Sequence, residues 1–290
     1  MAGDTAPPSG CRRERGLDLC RRPGEMPKLV GHRGALAVTP ENTMASFERA
    51  WRDGVDLVEL DVRLSADHQV VVLHDATVDR TTDGSGLVTE FTVAELRRLD
   101  AGAWFDARFA SERIPTLVEV LTWAKWRVGL LLELKFDPFG SYDPALVPAV
   151  LRDVSAMGVA DQVAFISYQT RALVQVTALA PDIPVGPMPP RDGILRSVAW
   201  LSRRFPALVR AAPVRRILTR PLTYALNWGC DVVGPNIDVT TQTLVDAAHA
   251  VGLPVSCGGF GWDYPAAIAM GLDTVSANDP GAVRSQFLSR

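Results

Sequence analysis

Short apolar segments alternate with helical segments along most of the chain, and this alternation restricts the fold more than any other feature. Continuous apolar runs are typical of strands buried on both faces, as in a parallel sheet covered by helices. The predicted strands are Lys28–His32, Val55–Val62, Val128–Lys135, Val163–Ser167, Ile183–Pro187, Val232–Pro235, Pro254–Cys257 and Thr274–Ala277. Eight such units in roughly 250 residues predict an α/β fold of the (β/α)8 TIM barrel type.

An open doubly wound sheet is the alternative fold. Its dinucleotide-binding form carries a G-x-G-x-x-G turn after the first strand. Here the first strand is followed by a single Gly34 and by a predicted helix, Pro40–Trp51, with Thr39 as its cap. The missing glycine pattern favours the barrel.

Three segments lie outside simple strand–helix units. Residues 1–26 are rich in proline, glycine and arginine and are predicted to be a disordered leader, with the barrel at 27–290. Residues 63–126 contain their own strand, Gln69–His74, and are predicted to be an insertion after strand two. Residues 188–228 are longer than one barrel helix requires.

Composition excludes several classes of protein. The net charge of −3 argues against a nucleic-acid partner. No apolar stretch approaches the ~18 residues of a membrane-spanning helix. The cysteines, Cys11, Cys20, Cys230 and Cys257, show no C-x-x-C spacing, so neither a zinc site nor a disulfide framework is expected. A reducing, cytoplasmic location is the simplest interpretation.

Polar residues lie at the ends of the first three barrel strands, where a (β/α)8 barrel has its active site. They are His32, Arg33, Glu59, Asp61, Glu133 and Lys135. Residues two apart share a strand face, so Glu59 and Asp61 point the same way. A lone Glu-x-Asp is usually a solvated strand edge, but both strands here are otherwise buried, and burying unpaired carboxylates is costly.

Three clustered carboxylates predict one divalent cation. Oxygen-only ligands favour Mg²⁺ or Ca²⁺. A cation beside Arg33 and Lys135 would bind a phosphate group, and His32 and His74 could transfer protons. The residues therefore predict a metal site that binds a phosphate group, with two histidines available for proton transfer.

Several runs resemble the glycerophosphodiester phosphodiesterase family, densely over about half of the chain. They are LVGHRGALAVTPENTMASFERAWRDGVDLVELDVRLSADHQVVVLHDATVDRTTDGSG, LDAGAWFDARFASERIPTLVEVL and LLLELK. The resemblance implies a TIM barrel with an insertion after strand two. It also implies hydrolysis of a glycerophosphodiester to glycerol 3-phosphate and an alcohol. Some relatives are lysophospholipase D enzymes, and a catalytically silent barrel acting as a binding or scaffold protein is the least favoured alternative.

The family motifs also imply roles for individual residues. The catalytic residues would be His32 and His74, the metal ligands Glu59, Asp61 and Glu133, and the substrate-binding residues Arg33, Lys135 and Glu41. The C-terminal part departs from the family pattern. The tryptophan expected at strand seven is missing from the run Ser256 to Trp262, and the last strand is followed by Asn278 and Asp279 rather than Thr-Asp. These departures put the substrate preference in doubt.

Residues 188–228 contain eight arginines and one acid, Asp192, and four of their apolar residues fall at helical spacing. One interpretation is a barrel helix with a solvated basic face. The other is a basic amphipathic lid that makes a peripheral membrane contact and brings a lysolipid to the site.

Overall fold

The computed structural model describes residues 16–22, 24–137, 140–188, 193–258 and 264–288. The strands are β1 (Lys28–Gly31), β2 (Leu57–Leu64), β3 (Val70–Val72), β4 (Gly129–Leu134), β5 (Val163–Ser167), β6 (Val185–Pro187), β7 (Ser256–Cys257) and β8 (Thr274–Ala277). The helices are α1 (Met44–Arg52), α2 (Val93–Leu96), α3 (Leu117–Ala124), α4 (Leu146–Met157), α5 (Thr170–Leu179), α6 (Gly193–Arg204), α7 (Ala212–Leu218), α8 (Arg220–Asn227), α9 (Gln242–His249), α10 (Tyr264–Ala269) and α11 (Pro280–Leu288).

The sheet is parallel and runs in the order β6-β5-β4-β2-β1-β8-β7, with β3 paired antiparallel to the end of β2. Apart from that hairpin strand, neighbours in the sheet follow one another along the chain, and β8 closes back onto β1. A doubly wound sheet would instead reverse its strand order at a switch point. The α/β expectation is confirmed, and the parallel strands form at least a half-barrel.

The predicted strand Val232–Pro235 is wrong as a regular strand, because the structure has only two isolated parallel bridges there. The segment 231–236 nevertheless lies between β6 and β7. Asp231 N donates to Val185 O at 2.8 Å, and Val233 N donates to Pro254 O at 2.9 Å. Pro235 has no N–H group with which to continue a ladder.

The two faces of each central strand pack into different cores. In β2, Val58, Leu60 and Val62 belong to the large core beneath the helices. Leu57, on the opposite face, packs with Leu131 of β4 in the interior of the sheet. Since side chains alternate along a strand, the residues that follow Leu57 and Leu131 on this inner face are Glu59, Asp61 and Glu133.

The first helix begins later than predicted. Thr43, and not Thr39, caps α1 by accepting a hydrogen bond from Ser46 N. Thr39 Oγ1 donates instead to Ala35 O at 2.8 Å. Asn42 adopts a left-handed φ of 58°, which interrupts any helix starting at Pro40.

The predicted disorder of the leader is wrong for residues 16–22. Leu19 is buried in the interior cluster with Val30 and Leu57. Arg21 N donates to Asp273 Oδ1 at 2.8 Å. This part of the leader therefore packs against the end of the sheet opposite to the strand carboxyl ends, while residues 1–15 and 23 lie outside the described residues.

The cysteines also differ from expectation. Cys20 is disulfide-bonded, which the spacing argument did not predict, whereas Cys230 and Cys257 are free and buried. Burial raises the pKa of both free thiols to about 12. Within the described residues, no helix has the length and apolar character needed to span a bilayer.

Candidate active site

Two neighbouring strands, β2 and β4, supply the three acidic residues of the site. Their parallel register places Asp61 beside Glu133, and Glu59 lies two residues earlier on the same face as Asp61. Carboxylate oxygens of all three lie within 4.8 Å of one another. The predicted acidic cluster therefore exists, and it is buried.

Burial and mutual repulsion perturb these carboxyl groups. Burial, followed by the charge of Asp61, raises the pKa of Glu59 to about 8. Burial also raises the pKa of Glu133 to about 7, against the opposing attraction of Lys135. Asp61 is buried as well, but Lys135 and Arg33 outweigh that effect and lower its pKa. Without a further cation, the protein supplies too little positive charge to keep all three ionised.

The donor set fits a hard divalent cation. Asp61 Oδ1 lies 2.9 Å from Lys135 Nζ but accepts no hydrogen bond of good geometry from the described residues. Its other oxygen, Oδ2, accepts a hydrogen bond from Asn42 Nδ2 at 2.7 Å. Three carboxylates with a buried oxygen lacking a hydrogen bond are suited to Mg²⁺ or Ca²⁺.

The turn after β1 positions His32 and Arg33. Arg33 has a left-handed φ of 50°, and Gly34 follows with φ 85°. A Cβ on Gly34 would lie 2.3 Å from Ser46 Oγ, so only glycine fits this turn. Arg33 N donates to Glu59 Oε2 at 2.9 Å, and its guanidinium Nε lies 3.3 Å from Asp61 Oδ2.

His32 contacts Asn278, the residue that directly follows β8. Its Nδ1 lies 2.8 Å from Asn278 Oδ1, and Nε2 lies 3.9 Å from Glu59 Oε2. Asn278 Oδ1 can accept a hydrogen bond from the Nδ1–H group, which leaves Nε2 as the basic nitrogen. Burial and the adjacent Arg33 charge lower the pKa of His32, so the neutral ring predominates at pH 7.

His74 reaches the site because β3 runs back along β2. Val72 pairs with Val62, and Leu73 N donates to Asp61 O at 3.0 Å, so His74 returns to the level of the acidic cluster. His74 Nδ1 lies 2.6 Å from Asp75 Oδ1. Burial lowers the pKa of His74.

Arginines that sequence reasoning did not single out hold the loops of the site together. Arg63 Nη2 donates to His74 O at 2.7 Å. Arg80 donates to both oxygens of Glu41, at 2.7 and 2.9 Å, and to Asp75 Oδ2 at 2.5 Å. Glu41 also accepts from Arg33 Nη1 at 2.8 Å.

Glu41, which the family motifs imply to be a substrate-binding residue, contacts two arginines. Its carboxylate lies between Arg33 and Arg80, and it does not line the cavity within the described residues. Both arginines outweigh its burial and lower its pKa. Glu41 orients Arg33 and the loop that carries His74 and Asp75.

A cavity of about 350 Å³ opens above the acidic cluster. Its polar wall includes His32, Arg33, Glu59, His74, Glu133 and Lys135. Its other wall is largely apolar and is lined by Ile166, Met188, Leu195, Val232 and Val239. Ser256 and Gly258 line it where the family tryptophan was expected, while residues 259–263 lie outside the described residues.

The sequence alone gave no role to Asn42, Asn278, Arg63 and Arg80. The first belongs to the Pro-Glu-Asn-Thr motif, and its left-handed φ was not foreseen. Asn278 was noted as a departure from the family pattern, yet it accepts from His32 across 246 sequence positions. A polar residue directly after the last strand was the available signal, because strand carboxyl ends meet at one face.

The fold and this site define a parallel α/β protein in which a buried acidic cluster lies beneath a cavity at the strand carboxyl ends, and His32, His74, Arg33 and Lys135 line that cavity. Known proteins share this arrangement of the chain. A phosphodiesterase of Oleispira antarctica, solved with the product sn-glycerol-3-phosphate, superposes with a TM-score of 0.75 and 28% identity, over 90% of this chain and 97% of that one. A glycerophosphodiester phosphodiesterase of Agrobacterium tumefaciens superposes with a TM-score of 0.69 and 27% identity, over 90% and 100%.

Sequence comparison agrees. Residues 32–275 match the Glycerophosphoryl diester phosphodiesterase family, and the chain belongs to that family. A glycerophosphodiester phosphodiesterase of Caldanaerobacter subterraneus is 37% identical over 158 residues, which are 54% of this chain and 65% of that protein. One from Bacillus subtilis is 32% identical over 166 residues, 53% of this chain and 57% of that protein. The matches span between 45% and 65% of the first curated relatives' length.

Proposed function

We propose that this protein hydrolyses a glycerophosphodiester to glycerol 3-phosphate and an alcohol. The observation that carries the proposal is the single cavity in which His32 and His74 lie with the acidic cluster, Arg33 and Lys135. Family membership supports the reaction class. The product bound to the Oleispira antarctica phosphodiesterase supports glycerol 3-phosphate as the common half of the substrate.

Glu59, Asp61 and Glu133 would hold the divalent cation, Mg²⁺ or Ca²⁺. When bound, the cation supplies Lewis-acid stabilisation of charge on the phosphoryl oxygens. Arg33 and Lys135 orient the phosphate by hydrogen bonds and charge. Lys135 Nζ is buried between Asp61 and Glu133, whose charges outweigh the burial and raise its pKa, so it stays protonated.

The histidines carry the proton transfers. One neutral imidazole accepts the proton of the attacking nucleophile, and the other ring, protonated in that step of the cycle, donates to the oxygen of the departing alcohol. Asn278 Oδ1 and Asp75 Oδ1 each accept a hydrogen bond from an Nδ1–H group, which leaves Nε2 of His32 and of His74 for the proton transfers. Such a positioned acid or base is typically worth ~10²–10⁴-fold in rate.

A lysophospholipase D-type reaction is the second candidate. The apolar cavity wall formed by Ile166, Met188, Leu195 and Val239 supports it, since an acyl chain needs apolar surface next to the phosphate site. A catalytically silent barrel is the least favoured alternative, and the clustering of three buried carboxylates next to a cavity lined by His32 and His74 argues against it.

The architecture of the chain is a second part of the proposal. We propose that segment 231–236 closes the sheet into an eight-stranded (β/α)8 barrel, that 27–290 form this domain, and that 63–126 are an insertion carrying His74. The hydrogen bonds of 231–236 to both β6 and Pro254 support closure. We further propose that the substrates are small or lysolipid diesters and that no nucleic acid takes part.

The test is turnover of glycerophosphocholine and lysophosphatidylcholine with Mg²⁺, Ca²⁺ or EDTA. Glu133→Gln should abolish most turnover and weaken metal binding, while Glu95→Gln, at an exposed acid, should change neither. His32→Ala and His74→Ala should each lower kcat by ~10²–10⁴-fold, with His249→Ala as the control outside the cavity. Full turnover in metal-free wild-type protein would refute the metal-assisted mechanism.

A further inference from the structure

Residues 193–228 concentrate positive charge on one part of the molecule. They hold seven of the chain's 30 Lys and Arg residues and none of its 33 acidic residues. The whole chain has a net charge of −3, so this segment is opposite in sign to the rest. Such segregation is typical of a surface that binds an anionic partner.

Helix α6 presents mixed apolar and basic residues to solvent. Its buried face holds Leu195, Ala199 and Ser202. The opposite face holds Trp200, which is 63% exposed, and Arg204, one helical turn later. The exposed area is therefore a face of a regular helix, and it combines a large aromatic ring with a cation.

The elements after α6 extend this surface. The turn Pro206–Arg210 and α7 both pack against α6. The turn adds the exposed Leu208 and Arg210, and the exposed Phe205 directly precedes it. With Trp200 and Leu201, four exposed large apolar residues fall within nine positions of the chain, and such grouping is typical of an interaction site.

The same helix forms part of the cavity wall. Leu195 and Arg196 line the cavity, and Arg196 Nη2 lies 3.1 Å from Asp238 Oδ2 on the facing loop. Arg203 Nη2 donates to Ile237 O and Thr240 O, each at 2.8 Å. These bonds fix α6 at the mouth of the cavity, so a partner bound to its outer face lies beside the site entrance.

From these observations we propose that the outer surface of residues 194–216 docks on an anionic lipid bilayer. We call it the basic–apolar surface and define it by Trp200, Leu201, Phe205 and Leu208 with Arg204, Arg210, Arg215 and Arg216. The aromatic and aliphatic side chains insert at the headgroup boundary, and the arginines contact lipid phosphates. Charge complementarity together with apolar exposure favours a lipid surface over a purely ionic partner.

The experiment is flotation of the full chain with vesicles of phosphatidylcholine alone or with phosphatidylglycerol. Wild-type protein should bind only the anionic vesicles and release at high salt. Changing Arg204, Arg210, Arg215 and Arg216 together to glutamine should weaken binding by on the order of 1,000-fold, since each arginine contributes about 1 kcal/mol. Arg203 and Arg196 stay unchanged, because they anchor α6.

A matched control removes the same charge elsewhere. Arg52, Arg98, Arg108 and Arg127 are exposed arginines on other elements of the chain, and their joint change to glutamine should alter vesicle binding by less than about threefold, since the proposed contact does not include them. A Trp200→Ser, Leu201→Ser variant, which keeps the charge, should also bind less. Thermal unfolding of each variant confirms folding.

The readout separates this proposal from the proposed hydrolysis, on which it does not depend. Turnover of soluble glycerophosphocholine should be unchanged in the four-arginine variant. Absence of wild-type binding to anionic vesicles would overturn the proposal. So would equal losses in the test and control variants, or binding of an RNA oligonucleotide in preference to the vesicles.

Discussion

Asn42 supports the acidic cluster with its side chain and its backbone, and both contributions can be measured. Its Nδ2 donates to Asp61 Oδ2 at 2.7 Å, and both residues are buried. A hydrogen bond to a charged group contributes ~1.5–3 kcal/mol net. The left-handed φ of 58° at this position is less favourable for alanine by about 1 kcal/mol or more, since alanine has a β-carbon but lacks the short polar side chain that lets asparagine adopt this angle.

We therefore expect Asn42→Ala to lower the free energy of unfolding by about 3 kcal/mol or somewhat more, from both terms. Asn42→Gly removes the hydrogen bond but tolerates the backbone angle, so it should be about 1 kcal/mol more stable than the alanine variant. Urea unfolding of metal-free protein, with m held common, measures both differences. Metal affinity should fall ~10–100-fold in both variants, because Asp61 loses its orienting donor.

His68 provides the control for the backbone term. It lies in an exposed turn with a φ of 55°, and its ring has no role at the site. His68→Ala should cost about 1 kcal/mol relative to His68→Gly and leave metal affinity unchanged. The reasoning is refuted if Asn42→Gly and Asn42→Ala are equally stable, or if neither differs from wild type by more than about 0.5 kcal/mol.

Two further predictions concern the arginine network and pH. Arg80→Ala should lower kcat by ~10–100-fold with a smaller change in KM, because Asp75 and Glu41 lose their common partner. Arg80→Lys should restore little of the lost kcat. An unchanged kcat in steady-state assays of Arg80→Ala would contradict this. At the far end of the sheet, the hydrogen bond to Asp273 raises the pKa of His249. The hydrogen bond from protonated His249 to Asp273 stabilises the fold fully at pH values below the unfolded-state pKa of about 6.5, and this stabilisation is lost as pH rises through the folded-state pKa. The difference in free energy of unfolding between wild type and His249→Ala should therefore decrease from pH 5.5 to 8.5 in urea titrations.

Most of the parallel strands, and the carboxylates that they carry, could be predicted from local patterns in the sequence, although Val232–Pro235 is not a regular strand. Strand periodicity is local, so Glu59 and Asp61 necessarily share a face, and the buried run before Glu133 marked a second strand. The His-Arg-Gly turn was equally readable, since Gly34 occupies a position that no other residue fits. The family resemblance added the proposed roles.

The hydrogen-bond partners that orient those residues could be found only in the tertiary structure. The partner of His32 lies at Asn278, and the orientation of Asp61 depends on Asn42, whose left-handed φ also moved the helix start to Thr43. The antiparallel pairing of β3 with β2 places His74 at the level of the acidic cluster. Such contacts join segments far apart in the chain, and their register follows from the packing of the whole sheet, which local periodicity does not encode.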